Sequence, residues 1–121
     1  MTRRLISLVD DDPSLRRSLK NLLGSVGFEV AVFDSAEAFL AADELGETAL
    51  LVVDLRLEGM SGLELMTHLA SARRAIPTVL LTAHGEDFVR EQAMARGALA
   101  FLTKPFRPDE LLGLARRALG G

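Results

Sequence analysis

Short, mainly apolar runs alternate along the chain with longer stretches in which apolar residues recur every three or four positions. The runs are LISLV, EVAVF, ALLVV, TVLL and ALAFL. ALLVV, continuous and without the in-and-out alternation of a sheet with one wet face, reads as a central strand covered on both sides, the habit of parallel sheets. A fully buried Leu or Val contributes roughly 1.5 to 3 kcal/mol.

Between the runs the punctuation is helical. Asp12 is placed to cap a first helix with Pro13 at its first position, where a missing N–H is harmless, and Gly27 offers a left-handed stop. Leu15, Leu19, Leu22, Leu23 and Val26 form its apolar stripe, while Arg16, Arg17, Lys20 and Asn21 form a solvated side. Ser35 can cap a short helix through AEAFLAA, which fades into the polar connection DELGET. After LEGMSG, Ser61 can cap a third helix with Leu63, Met66, Leu69 and Ala70 on one side, and Pro77 introduces the fourth strand. A fourth helix fits Glu86 to Arg96 with Gly97 as its stop. A fifth opens at Pro108, Asp109 and Glu110 and runs to about Ala118.

Helices of this length joining short strands require right-handed crossovers, so the pattern predicts a doubly wound five-stranded parallel sheet with five helices, an α/β fold. Residues 1–121 are expected to form one domain, with no repeat, low-complexity stretch or linker within them and no second domain expected in this chain. Composition changes this little: 49% apolar and 26% charged residues describe an ordinary globular domain. The net charge of −3, much of the acid lying in one triplet, gives no reason to expect direct nucleic-acid binding. Zero cysteines exclude disulfides, thiolate metal sites and a Cys nucleophile. No signal peptide is recognisable at MTRRLIS and no apolar run approaches ~20 residues, so a cytoplasmic location away from membranes is expected.

Polar residues cluster where the runs end. Asp10-Asp11-Asp12 follow LISLV, Asp54 follows ALLVV, Thr82 follows TVLL, and Lys104-Pro105 follow the fifth run and Thr103. Open α/β sheets bind ligands in the crevice beyond the carboxyl ends of their strands, so these residues are expected to converge. Asp10, Asp11 and Asp54 held together as anions call for a cation, and Mg2+, or Mn2+ in its place, suits hard oxygen ligands. No His/Cys spacing suggests zinc. Asp54 is a candidate nucleophile on phosphorus, giving an aspartyl phosphate, with Lys104 and Thr82 stabilising the transferred oxygens. Each signal alone has an ordinary reading: an acidic triplet is a helix cap, an aspartate after a strand is a turn residue, Lys-Pro is common in loops. Their order at successive strand ends favours the shared site.

VDDD, VVDLRLEGMSG, LLTAHG and FLTKPF resemble the receiver domain of two-component response regulators, of the CheY-like superfamily, and the resemblance spans the whole chain. SAEAFL and TAHG further resemble the FixJ-type branch, whose members usually carry a DNA-binding output domain. The resemblance implies a flavodoxin-like strand order 2-1-3-4-5 and Asp54 as phosphoacceptor for a sensor histidine kinase or phosphotransfer protein. It implies that Asp11 and Asp54 ligate Mg2+, that Asp10 acts through water, and that the Arg56 backbone carbonyl completes the set. Thr82 and Lys104 match the family's hydroxyl and lysine, Phe101 the aromatic switch residue, and Pro105 is expected to follow a cis bond. Arg56 and His84 occupy positions that tune dephosphorylation; His68 is expected on the surface.

Phosphorylation would draw Thr82 inward, let Phe101 fill the vacated space and alter the surface of the fourth helix, fifth strand and fifth helix, with a phosphorylation-dependent homodimer through that face. Where the family often shows Met-Pro, this chain has Leu57-Glu58, which leaves the loop after Asp54 without a rigid proline. The alternative is an Mg-dependent aspartyl-phosphate phosphatase, but such enzymes usually place an acid/base Asp two residues after the nucleophile, where this chain has Arg56. A nucleotide- or flavin-binding domain ranks last, since neither GxGxxG nor GxxxxGK[ST] follows any strand.

Overall fold

Asp12 and Pro13 start the first helix as the sequence requires. The computed structural model describes residues 4–83 and 87–120, and of residues 87 and 88 the backbone alone. The Asp12 carboxylate accepts the N–H groups of Ser14 at 2.9 Å and Leu15 at 3.4 Å. In chain order the elements are β1 (Leu5–Val9), α1 (Pro13–Ser25), β2 (Glu29–Phe33), α2 (Ala36–Leu40), β3 (Thr48–Asp54), α3 (Gly62–Ser71), β4 (Thr78–Thr82), α4 (Asp87–Ala95), β5 (Ala100–Thr103) and α5 (Pro108–Leu119). All strand pairings are parallel and the order is β2-β1-β3-β4-β5. The five strands, five helices and their order match the expected doubly wound fold.

The apolar runs are explained by two cores, one on each face of the sheet. Leu50 and Val52 of β3 point with Ile6, Leu8, Val79 and Leu81 toward Leu19 and Leu23 of α1 and Leu111 and Leu114 of α5. Leu51 and Val53 point the other way, with Val9 and Leu80, toward Phe39 of α2, Leu65, Met66 and Leu69 of α3 and Ala93 of α4. Alternate residues thus serve opposite layers, and the one polar side chain inside β1, Ser7, is fully buried with its hydroxyl 2.6 Å from that of Thr48.

Parallel register does the positioning. Val9 pairs with Val53, so the chain leaves β1 and β3 side by side at the same height. Asp54 pairs with Leu81, and Thr82 with Thr103, which puts the ends of β4 and β5 on the same edge. α3 then packs close: an added Cβ at Gly62 would lie 2.7 Å from the Asp54 carbonyl oxygen and 2.9 Å from Leu80 Cδ2. Ser61 and Glu64 close a reciprocal capping box at the start of this helix, at 3.1 and 3.3 Å.

Three details depart from the sequence pattern. DELGET is not a plain connection, because Asp43–Glu47 winds into a 3-10 helix. On α3 the buried set is Leu65, Met66 and Leu69, while Ala70 is exposed. α1 ends at Ser25, so Val26 lies past the last turn and is exposed. The fourth helix is described from Asp87; Glu86 lies outside the described residues, as does His84. Among the described residues no helix is long and apolar enough to cross a membrane.

Candidate functional site

The ends of β1, β3 and β5 bring three carboxylates and one ammonium together. Asp10, Asp11 and Asp54 each offer an oxygen, and these lie within 4.8 Å of one another. Asp10 is fully buried, Asp54 nearly so, and Asp11 is exposed at the rim. Lys104 Nζ donates to Asp54 Oδ2 at 2.7 Å and to Asp10 Oδ2 at 3.2 Å, bridging the two buried acids. The second oxygen of each acid is held by backbone: Asp12 N–H donates to Asp10 Oδ1 at 2.9 Å and Arg56 N–H to Asp54 Oδ1 at 2.8 Å.

Burial pushes the Asp10 carboxyl above its ordinary range. The Asp12 N–H and the Lys104 ammonium pull it down, but they do not outweigh desolvation joined by the Asp54 charge. For Lys104 burial pulls the other way, toward the neutral amine, yet the hydrogen bond to Asp54 and the charges of Asp10 and Asp54 more than offset it, leaving the ammonium above its usual value.

These shifts have a consequence for stability. A carboxyl whose folded pKa lies above its unfolded value of 3.8 holds its proton better in the folded state, so folding weakens as pH climbs from 3.8 through the raised value. Asp10→Asn removes that penalty. In chelator the variant is expected to melt above the parent at neutral pH, with the gain shrinking as pH falls toward 3.8; calorimetry across that range reads it. A variant that melts lower at neutral pH would mean that the Lys104 pairing outweighs desolvation.

Thr82, at the end of β4, is 1% exposed, and the N–H of Lys104 donates to its backbone carbonyl at 2.6 Å, tying the ends of β4 and β5. The Lys104–Pro105 peptide bond is cis. Phe101 is half-buried in β5, opposite Leu80. Arg56 and His68 are exposed.

One side chain at the site has no role in the sequence pattern beyond a wet helix face. Arg16, on the supposedly solvated side of α1, is half-buried and its Nη1 donates to the Asp10 carbonyl at 2.7 Å. A basic residue one turn beyond the Asp12 cap is the signal that could have found it, since that position faces back over the helix start.

The donor set fits a hard divalent cation. Three carboxylates against the one ammonium they share leave a local excess of negative charge, their oxygens lie within coordinating reach of a common point, and no sulfur or imidazole is among them. Asp10, Asp11 and Asp54 together could hold such an ion.

Comparison with known proteins agrees with this edge-of-sheet site. The family model described as "Response regulator receiver domain" matches residues 6–116. The chain belongs to that family. The receiver domain is 46% identical over 111 residues to Nodulation protein W of Bradyrhizobium diazoefficiens, covering 92% of this chain and 49% of that protein. It is 37% identical to the transcriptional regulatory protein FixJ of the same organism, covering 98% and 58%. Among solved structures, that titled FixJ-N superposes with a TM-score of 0.85 at 37% identity, covering 98% and 94%. The response regulator StyR gives 0.87 at 43%, covering 95% and 58%. The receiver domain spans about half the length of the curated relatives it matches. Receiver domains are signalling modules of two-component systems and not classical enzymes.

Proposed function

We propose that this receiver domain accepts a phosphoryl group on Asp54 from a sensor histidine kinase or phosphotransfer protein, with Mg2+ or Mn2+, and passes the change to an output domain or partner. The observation that carries the reading is the bridge of Lys104 between two buried carboxylates, with the exposed carboxylate of Asp11 beside them. Buried like charges are costly, and a structural role alone gives no reason to keep two of them on one edge with a third carboxylate at the rim.

An Asp54 oxygen attacks the donor's phosphorus in line, the bond to the donor's leaving atom breaks, and an acyl phosphate forms on Asp54. The arriving group brings charge that Lys104, already 2.7 Å from Asp54 Oδ2, is placed to follow. The bound cation would supply charge neutralisation on the phosphoryl oxygens, held by Asp11, Asp54, water on Asp10 and the Arg56 carbonyl. The Thr82 hydroxyl donates to a phosphoryl oxygen. Arg56 and His84 govern the access of water and hence the lifetime of the phosphorylated form; replacing both by Ala is expected to change it.

Readout runs through Phe101. It borders a groove of about 280 Å³ with Arg90, Met94, Leu99, Leu114 and Arg117, between α4, β5 and α5. Met94 and Leu99 are 45% and 41% exposed, so a shift of Thr82 and Phe101 alters an apolar surface already open to a second copy or an output domain. Beside the site, Leu15, Leu22, Pro105 and Phe106 line an apolar groove of about 300 Å³ that ends at Lys104, where a donor protein can dock. The cytoplasm is the expected compartment, and the name of the relative FixJ, a transcriptional regulatory protein, suggests transcription as the output.

Intact-mass measurement after incubation with acetyl phosphate tests the proposal. One phosphoryl group per chain is expected with Mg2+ and none in chelator. Uptake that ignores the metal would contradict it.

A further inference from the structure

The loop after Asp54 lacks the proline that commonly stiffens it in the resembled family, yet its N–H groups are held from three directions. Arg56 donates to Asp54 itself, Gly62 to the Leu55 carbonyl at 3.0 Å, and Met60 to Glu37 Oε2 at 3.0 Å. The third bond comes from a different element, since Glu37 lies in the first turn of α2. Gly59, with φ of +79°, lies directly under the same carboxylate: a Cβ there would stand 2.5 Å from Glu37 Oε2 and 3.2 Å from its Cδ. The absence of a side chain at 59 therefore serves both the turn and the seat of the carboxylate.

We propose that Glu37 is a positioning residue for the phosphoacceptor loop, holding residues 55–61 from α2 so that the Arg56 backbone stays in place beside Asp54. The inference rests on the reading of Asp54 as phosphoacceptor and assigns the stiffness of its loop to a carboxylate 23 residues upstream of Met60. A charge-assisted bond to a backbone N–H is stronger than a neutral one, and it fixes the stretch of the loop between the Arg56 and Gly62 bonds, which those two leave unheld.

Glu37→Ala, Glu37→Gln and Gly59→Ala, compared in the full chain, test it. In Glu37→Ala the Met60 amide is expected to exchange with solvent roughly tenfold faster. Mg2+ affinity by calorimetry is expected to fall roughly tenfold, the scale seen when groups orienting metal ligands are lost. Glu37→Gln keeps a carbonyl acceptor and is expected to restore most of both. Gly59→Ala is expected to displace the carboxylate, so its effect and that of Glu37→Ala combine to less than their sum. Unchanged Met60 exchange and Mg2+ affinity in Glu37→Ala would overturn the proposal, as would Gln behaving like Ala, which would assign Glu37 a charge role at the α2 start instead. Exchange and metal binding are read on unphosphorylated protein, so a parent chain that refuses acetyl phosphate would refute the phosphoacceptor reading, while the hold of Glu37 on the loop still stands or falls by the Met60 exchange and the Mg2+ affinity.

Discussion

Asp54→Asn is expected to abolish phosphoryl uptake while leaving the fold and the melting curve near those of the parent. The amide keeps an oxygen for the Arg56 N–H, which now reaches Asp54 Oδ1 at 2.8 Å, and it fits the same volume between β1 and β4. One of three crowded negative charges disappears, and the relief of repulsion offsets the loss of the Lys104 bond to Asp54 Oδ2, where the amide nitrogen cannot accept. What vanishes is the nucleophile, since a neutral amide oxygen does not displace a leaving group from phosphorus at a useful rate. Removing a covalent nucleophile typically slows the reaction on the order of 10⁴-fold or more, which puts the variant below detection in an experiment that saturates the parent. Asp10 does not substitute, because its side chain is fully buried, whereas that of Asp54 keeps 11% of its surface open to an incoming donor. A variant that still gains a phosphoryl group under the same conditions would move the acceptor elsewhere.

Gly62→Ala is expected to be the most damaging small substitution near the site. A methyl at this position meets the Asp54 carbonyl oxygen at 2.7 Å, Leu80 Cδ2 at 2.9 Å and Leu55 Cα at 3.1 Å. Two of these are backbone atoms of the segment that carries the acceptor, and the Gly62 N–H bond to the Leu55 carbonyl at 3.0 Å fixes the distance from the other side. The Leu80 methyl could turn aside, but the two backbone atoms could not. Overpacking of this kind costs about 3 kcal/mol, or roughly 10 to 15 °C in melting temperature for a domain of this size. Relief by backing α3 away would shift Asp54 and slow phosphorylation as well. Gly24→Ala, where an added Cβ meets nothing within 4 Å, is the matched control and is expected to stabilise by about 0.5 to 1 kcal/mol through helix propensity. Equal melting of Gly62→Ala and the parent would mean that α3 packs less tightly on β3 than these distances require.

The strands and the edge they share were legible because burial on two faces leaves an unambiguous mark. Leu50 through Val53 must all be apolar when alternate residues serve opposite cores, and the polar residues at positions 10, 54, 82 and 104 then stand out at each exit. Asp12 with Pro13 and Ser61 with Glu64 were readable for a local reason, since a cap is satisfied within one turn. What escaped depends on contacts across the fold. Leu65 and Ala70 both lie near the apolar stripe of α3, and only the sheet beneath decides that Leu65 is buried and Ala70 is not. Arg16 looks like any charge on a wet helix face until the Asp10 carbonyl is seen beneath it. Glu37 and Gly59 are 22 positions apart, and Gly62 reads as a turn glycine until α3 is packed on β3. Chain-wide patterns report burial, whereas these pairings report distance, which no single stretch of sequence contains.

The most direct measurement of the central claim is the location of the phosphoryl group. Borohydride reduction of protein treated with acetyl phosphate and Mg2+ converts an acyl-phosphorylated aspartate to homoserine, which peptide mass spectrometry assigns to a residue. The account predicts homoserine at position 54 alone; homoserine at Asp10 or Asp11, a phosphoryl group retained on His68, or no modified residue at all would contradict it.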